Sequence, residues 1–308
     1  MFLPGGRWPP GPRGGCAPRP GENSSPVVAA CRGWREWMRE PVLFTTSWDD
    51  GHPLDMKVAE LLARHGLKGT FYVPGRMPPG GCYGPEVFDV LDKSDLRELA
   101  AQFEVGSHTL DHRRLDSLEA EEARHQISAG KRQLEDQLGR PVTGFCYPNG
   151  AHTARAREIV RECGFAYART TEDLHDRVGP DPYQMPVSLH FYPRPRAYVV
   201  RAFVSQEKRR LGAWQWPRRL GMLAAAASKD GFEARCRVLI DRVCSRGGML
   251  HLWGHSWEVE RIGGWKLLDN VLRYAAERLP ATARVTNAAL IGGAPAHGTL
   301  VGGAAAAG

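Results

Sequence analysis

Residues 42–51 read VLFTTSWDDG, a run of β-branched and aromatic residues that stops at two aspartates and a glycine. Such a run predicts a buried strand over 42–48, and the D-D-G sequence predicts the turn that ends it. Apolar residues then recur at helical spacing over 54–65, before the helix stop signal Gly66. This stretch is therefore expected to form the first strand–helix unit of an α/β fold.

The same alternation continues along the chain. Strand-like runs cover 69–73, 103–107, 143–147, 165–169, 185–191 and 249–253, and helical patterns cover 94–102, 117–138, 153–163, 232–244 and 265–278. Repeated strand–helix alternation predicts a parallel sheet, and its extent of about 240 residues favours a (β/α) barrel over an open sheet. We expect a single α/β domain.

The two ends of the chain differ in composition from the middle. Residues 1–40 are rich in Pro, Gly and Arg without a hydrophobic period, which indicates a disordered or mis-called N-terminal extension with Met38 as an alternative start. Residues 291–308 have the Gly/Ala-rich sequence of a flexible tail. The predicted folded domain spans residues 41–290.

The composition also bears on the compartment. No apolar run reaches the roughly 18–20 residues that a transmembrane helix needs, and the N-terminus lacks the layout of a signal peptide. The 7 cysteines form an odd set without a C-x-x-C pair, as in proteins of reducing compartments. We expect a cytoplasmic protein.

The net charge of +7 is concentrated in one segment. Between residues 194 and 219 the sequence is rich in arginine, both paired and single, with Glu207 as the one acid. A nucleic-acid-binding protein would spread its basic residues over a larger face, so no nucleic acid partner is expected. The segment is either a solvated loop or a site for a local anionic partner.

Polar clusters follow four of the predicted strands. Asp49 and Asp50 follow the first strand, the sequence H-T-L-D-H begins after the third, P-N-G follows the fourth, and His255 follows the last. In a barrel of parallel strands the active site is built from the loops at the carboxyl ends of the strands. We therefore expect these clusters to converge on one mouth of the barrel.

The histidines and aspartates suggest a metal site. If a helical turn begins at His108, the i, i+4 spacing places the His108 and His112 imidazoles on one face, which suits two ligands of one divalent ion. Of Asp49 and Asp50, one could complete three protein ligands while the other takes a proton from a bound water. The alternative is a D-D-G turn in which both aspartates bond the backbone.

Taken together, these residues resemble a known family. S-W-D-D-G (47–51), H-T-L-D-H (108–112), Y-P-N-G (147–150) and a late strand ending in His are similar to the motifs of the polysaccharide deacetylases, carbohydrate esterase family 4. The resemblance covers residues 41–290 and identifies the chain as a divergent member. It implies a distorted (β/α) barrel with fewer than eight strands and metal-dependent hydrolysis of N-acetyl groups on an amino-sugar glycan or its precursor.

The resemblance also assigns roles to individual residues. Asp50, His108 and His112 match the ligands of one divalent metal ion, with zinc preferred and cobalt, nickel, iron or manganese as alternatives. Asp49 matches the general base, which activates a metal-bound water for attack. His255 matches the general acid.

Further residues are assigned to the oxyanion and the substrate. The backbone N–H of Asn149 matches a donor to the oxyanion. The residues expected to contact the N-acetylated sugar or related amide are Tyr147, Pro148, His52 and Trp253. His52 follows D-D-G and could equally be a turn residue.

One motif departs from the family pattern. The family carries an Arg two residues before the motif proline, where it orients the base, and this chain has Cys146 there. Tyr147, Asn149 or His152 could substitute, and an uncompensated loss would leave Asp49 less well positioned. The change keeps open a hydrolase of a non-sugar amide or cyclic imide on the same fold, and a non-catalytic carbohydrate-binding relative.

The late strand offers two histidines for the acid. Period two along the strand sends His251 and Trp253 to one face, whereas His255 follows Gly254 at the strand end, so His255 is preferred and His251 is expected in the barrel wall. Near them, His190 could line the cleft. Glu258 could hydrogen-bond close to His255 or cap a helix.

Overall fold

The computed structural model describes residues 40–77, 90–207 and 216–292, which belong to a compact unit beginning at Glu40. The predictions for residues 1–39, including the start at Met38, and for the tail over 293–308 lie outside the described residues. Within the described ranges, no helix is long and apolar enough to cross a membrane.

The centre of the fold is a parallel sheet. Its seven strands lie in the order β5-β4-β3-β2-β1-β7-β6, so β1 is flanked by β2 and by the late strand β7. The strands are β1 (Val42–Asp49), β2 (Thr70–Val73), β3 (Glu104–Ser107), β4 (Gly144–Cys146), β5 (Tyr167–Arg169), β6 (Leu189–His190) and β7 (Gly248–Gly254). The predicted fold, a distorted barrel with fewer than eight strands, is confirmed.

Helices pack around this sheet and bury their apolar faces against it. Hydrophobic side chains of strands and helices form the main core, with Trp48 of β1 and Phe71 of β2 fully buried within it. The helices are α1 (Asp55–Arg64), α2 (Lys93–Gln102), α3 (Ala120–Leu138), α4 (Ala154–Glu162), α5 (Arg196–Glu207), α6 (Trp216–Ala227), α7 (Phe232–Arg246), α8 (Ser256–Arg261), α9 (Trp265–Arg278) and α10 (Asn287–Ile291).

The sheet curls until its two edges share one segment. Met185 exchanges backbone hydrogen bonds with β5, donating to Ala168 O at 2.9 Å and accepting from Thr170 N at 2.9 Å. Three residues later Ser188 N donates to His251 O of β7 at 2.9 Å. The chain between Met185 and β6 therefore connects the β5 edge to β7, which brings the carboxyl ends of β1 and β5 to the same mouth.

Several helix boundaries differ from the sequence prediction. The helix predicted to start at Ser117 begins at Ala120, because residues 115–117 form a separate 3₁₀ turn. The cap of α2 is Asp92, whose side chain accepts from Ser94 N and Asp95 N, rather than a serine. The strand expected over 185–191 is regular only at β6, because its first residues serve as the connection between sheet edges.

Candidate active site

The D-D-G turn separates the carboxylates of Asp49 and Asp50. Asp50 and Gly51 both have positive φ, 81° and 61°, so the backbone reverses immediately after β1. A Cβ on Gly51 would lie 2.7 Å from Val73 Cγ1, which restricts this position to glycine. The two aspartates consequently face different groups, one turned towards the histidines and the other towards β4 and β5.

The side chains of His108 and His112 are brought together by a loop. The prediction of a helical turn at this spacing is wrong. Residues 108–114 are not helical, and both Thr109 and His112 adopt positive φ, 68° and 51°. The left-handed residues fold the loop back so that the two imidazole centroids lie 4.7 Å apart. The i, i+4 spacing thus brings the side chains together through a loop rather than a helix face.

Asp50, His108 and His112 converge as a buried donor set. Asp50 Oδ1 lies 3.1 Å from His112 Nε2 and 3.7 Å from His108 Nε2, and all three side chains are nearly inaccessible to solvent. Within the described residues Oδ1 accepts no well-aligned hydrogen bond. The backbone O of Cys146 lies 2.8 Å from His108 Nδ1 and fixes that nitrogen as a donor, which leaves Nε2 to act as a ligand.

The charge states of Asp50 and His108 favour the binding of a cation. Although burial opposes ionisation, His255 and His112 lower the pKa of Asp50 well below its usual range. Burial, and then the neighbouring His112, lower the pKa of His108 to about 4, so its imidazole is neutral near pH 7. One carboxylate with two imidazoles is a donor set typical of divalent zinc or a similar ion.

Arg169 is the side chain that contacts Asp49. Its guanidinium forms an ion pair with Asp49 Oδ1 and is completely buried, while the thiol of Cys146 lies 3.8 Å from Oδ2. The ring faces of Tyr72 and Trp253 lie 5.1 Å and 5.0 Å from the guanidinium carbon. Burial opposes the charge of Arg169, but the Asp49 carboxylate outweighs it and raises the arginine pKa.

Sequence reasoning missed Arg169. Two residues that could have substituted for the absent arginine contact other groups. Tyr147 donates to Tyr183 O at 3.1 Å, and His152 Nδ1 lies 3.0 Å from Gly150 O. The signal that could have found Arg169 is its place in the sequence Y-A-R-T, at the carboxyl end of a strand, where every other polar cluster lies. Asn149 has positive φ, 58°, and lines the cavity at this mouth.

On the other side of Asp50, Glu258 joins two histidines. Glu258 Oε2 lies 2.7 Å from His255 Nδ1 and 2.8 Å from His190 Nε2, while His255 Nε2 lies 3.8 Å from Asp50 Oδ2. Trp257 Nε1 donates to that same Asp50 oxygen at 2.9 Å. Although burial disfavours its charged form, Asp50 and Glu258 raise the pKa of His255 to about 9.

His251 lies elsewhere. It is fully buried on β7, and its Nε2 lies 2.8 Å from Ser47 Oγ within the sheet. Burial lowers its pKa well below the usual range, and the charge of Arg169 acts in the same direction. His251 therefore sits in the barrel wall, while His255 lines the cavity.

The four residues assigned to the substrate are not equivalent in position. Trp253 lines the cavity and stacks on His190, with ring centroids 4.1 Å apart. Tyr147 and Pro148 are buried beside it and do not line it. His52 accepts a hydrogen bond from Leu54 N at 3.0 Å at the start of α1, as expected of a turn residue.

A cavity of about 440 Å³ opens onto these groups. Asp49, His108, His112 and His255 line its inner end, and α5 supplies part of its outer wall through Tyr198 and the apolar residues that follow. The volume is within the usual range of small-molecule sites, roughly 300–1,000 Å³. The acidic and basic side chains, the donor set for a cation and the cavity thus lie at the same mouth of the barrel.

Comparisons with known proteins match part of the chain to one family. Residues 39–168 match the family model described as polysaccharide deacetylase. The peptidoglycan-N-acetylglucosamine deacetylase PgdA of Listeria monocytogenes is 28% identical over 134 residues, which are 42% of this chain and 26% of PgdA. The chain therefore spans about a quarter of the length of the curated relatives it matches.

A solved structure extends the likeness in fold to most of the chain. A family 4 acetyl xylan esterase from Clostridium thermocellum, in complex with a cobalt ion, has a TM-score of 0.50 at 16% identity and covers 81% of this chain and 90% of its own. At that identity the likeness concerns the fold. The chain therefore matches the polysaccharide deacetylase family over residues 39–168, and its fold resembles that of a family 4 esterase over most of its length.

Proposed function

We propose that the protein is a metal-dependent hydrolase that removes N-acetyl groups from an amino-sugar glycan or its precursor. The observation that carries this proposal is the pair of charged networks around the Asp50–His108–His112 set. Arg169 holds Asp49 on the side of His108, and Glu258 holds His255 beside the second oxygen of Asp50. A hydrolysis of an amide needs a base and an acid at different positions around one reacting carbonyl.

The proposed ligands of the metal are Asp50, His108 and His112, and zinc is the preferred ion. When bound, such an ion polarises the carbonyl and lowers the pKa of a water molecule. The hydrogen bond from His108 Nδ1 to Cys146 O orients that imidazole before any ion arrives. All three ligands are buried, and His108 and His112 line the cavity, so a substrate in the cavity lies against the donor set.

Asp49 is the proposed general base. Its carboxylate lines the cavity, and the contact with Arg169 fixes the position of one of its oxygens. The second oxygen faces the Cys146 thiol, a weak donor, at 3.8 Å. Asp49 can therefore accept the proton of the attacking water.

His255 is the proposed general acid. In the metal-free site the carboxylates of Asp50 and Glu258 raise its pKa to about 9, and the ring lines the cavity next to Asp50. Glu258 accepts from Nδ1, so the proton on Nε2 can pass to the nitrogen of the leaving amine. The backbone N–H of Asn149 is the proposed donor to the oxyanion.

The stacked pair of Trp253 and His190 supports a sugar as substrate. Their planes are inclined by 14°, and Trp253 Nε1 donates to Asp173 Oδ1 at 3.2 Å, which fixes the indole in the cavity wall. Trp253 is only 8% exposed beneath His190, so this wall offers a sugar mainly the polar groups of His190 and Asp173, which are suited to the hydroxyls of a pyranose.

An acetate-release assay tests the proposal. Zinc-loaded protein is incubated with N-acetylglucosamine oligosaccharides and with soluble N-acetylated sugar precursors, and Asp49→Asn is compared with Asp136→Asn, an exposed position on α3. We expect release by the wild type and by D136N, and a loss of about 100-fold or more in D49N. Absence of acetate from every sugar by metal-loaded protein overturns the proposal; turnover of a cyclic imide without acetate would assign the alternative substrate.

A further inference from the structure

The exposed large hydrophobic side chains of the described residues are concentrated in one place. Tyr198, Val200 and Val204 of α5 and Leu220 of α6 are each 40–46% exposed, and they are all the large hydrophobics that the described part of the chain exposes to this degree. Most surface helices turn charged residues outwards, as α9 does with Lys266. Three exposed apolar side chains on one helix, with a fourth on the helix packed against it, indicate a contact surface.

Helix α5 is apolar on both sides. Its inner residues Val199 and Phe203 line the cavity, while Val200 and Val204, one turn apart, face outwards. A helix that is apolar all round is normally buried, because its outer face otherwise remains in contact with water. Some other apolar medium is therefore expected against Val200 and Val204.

The charges around this face indicate which kind of partner it can contact. Arg201 lies exposed among the valines on α5, and the sequence from 194 to 219 has a surplus of Arg and Lys, although Arg196 pairs with Asp230 and Arg218 pairs with Glu40 and Asp176. A second copy of the same face would bring like charges together. A nucleic acid offers nothing apolar to the valines. Apolar residues interleaved with arginines match a surface of anionic phospholipid.

We propose that α5, together with Leu220 of α6, docks on an anionic phospholipid surface. Because Tyr198 belongs both to the exposed face and to the cavity wall, docking places the cavity mouth at the lipid–water boundary. An amino sugar carried on a lipid could then reach Asp49 and His255 without leaving the membrane; this last step, unlike the docking, rests on the proposed function.

Vesicle co-sedimentation of the full chain tests the docking. Binding to vesicles of phosphatidylglycerol with phosphatidylcholine is compared with binding to phosphatidylcholine alone, for the wild type, for Val200→Glu with Val204→Glu, and for Ala101→Glu on the exposed side of α2. We expect binding that requires the anionic lipid, falls with added salt, weakens at least about tenfold in the double variant and is unchanged in A101E.

Two further measurements make the outcome decisive. Thermal unfolding shows that the double variant is folded, and its acetate release from a soluble N-acetylated oligosaccharide should equal that of the wild type, since neither valine lines the cavity. No binding to anionic vesicles, or equal binding by the double variant, overturns the proposal. A dimer in size-exclusion chromatography that V200E with V204E dissociates, without vesicle binding, also overturns it and assigns the face to a second copy.

Discussion

Arg169 and Asp49 are separated by 120 positions in the chain, yet they form a fully buried ion pair. In the order of the sheet their strands, β5 and β1, are separated by β4, β3 and β2. The pair is possible because the sheet curls, so that side chains at the carboxyl ends of distant strands point to a common mouth. Asp49 thus has an arginine partner on β5, the strand next to the one that carries Cys146.

Replacing Arg169 should impair both activity and stability. In Arg169→Met the Asp49 carboxylate is left buried without its partner, which should lower kcat by about 100-fold and the free energy of unfolding on the order of 3–5 kcal/mol. Acetate release and chemical denaturation measure the two effects. A second variant, Arg169→Ala with Cys146→Arg, should regain part of kcat, because the Cys146 thiol already lies 3.8 Å from Asp49. Unchanged kcat in R169M would contradict a positioning role.

Metal binding should depend on the two loop histidines. Protein purified without chelators and then dialysed against zinc should hold about one equivalent by elemental analysis. His108→Ala with His112→Ala should hold almost none, whereas His125→Ala, an exposed histidine of α3, should match the wild type. Saturating metal should also raise the unfolding free energy of the wild type by about 2.7 kcal/mol at 100 times Kd. Full metal content in the double variant would place the ion elsewhere.

The titration of His255 should report its contact with Glu258. In metal-free protein its ring protons should titrate with a pKa of about 9 by NMR, against about 6.5 in an unfolded chain. Because the folded protein holds this proton more tightly, the stability it contributes is complete below about pH 6.5 and is lost as the pH rises through about 9.

Glu258→Gln should move that titration to lower pH, because it removes a negative charge 2.7 Å from Nδ1. Glu121→Gln, an exposed acid on α3, is the matched control and should leave it in place. A His255 titration that E258Q does not move would show that Glu258 does not set the charge of the proposed acid.

The turn after β1 should tolerate no side chain at Gly51. Gly51→Ala combines a positive φ of 61° with a Cβ 2.7 Å from Val73 Cγ1. Gly139→Ala has a similar φ, 67°, with no atom within 4 Å of the added Cβ, so it isolates the backbone cost. We expect G139A to destabilise by about 1 kcal/mol and G51A by about 1–3 kcal/mol more, measured by denaturant unfolding. Equal losses would mean that the contact with Val73 relaxes freely.

The strand ends could be predicted from the sequence because each polar cluster follows an apolar run directly. That order alone is enough to place Asp50, His108 and His255 at one mouth of a parallel barrel. The conformation of the H-T-L-D-H loop could not be predicted in this way. Positive φ at Thr109 and His112 is unfavourable for these residue types, and it is tertiary packing that imposes it.

Two other features depend on the three-dimensional arrangement. Arg169 reaches Asp49 only because the sheet curls, and nothing in the spacing of 120 residues indicates a contact. Helix α5 has no amphipathic period, because Val199 faces the cavity, Val200 is exposed to solvent, and both are apolar. A prediction based on the hydrophobic periodicity of amphipathic helices therefore does not find α5.

The curled sheet has a consequence for how such chains are compared. Where several strand ends surround one point, the same spot in space can be supplied from more than one strand, and evolution can move a residue from one to another without moving its charge. A motif profile that scores each strand separately would record Cys146 as a lost arginine and classify the chain as defective. A comparison made by the position of the guanidinium, rather than by its order in the chain, would record that Asp49 has an arginine partner.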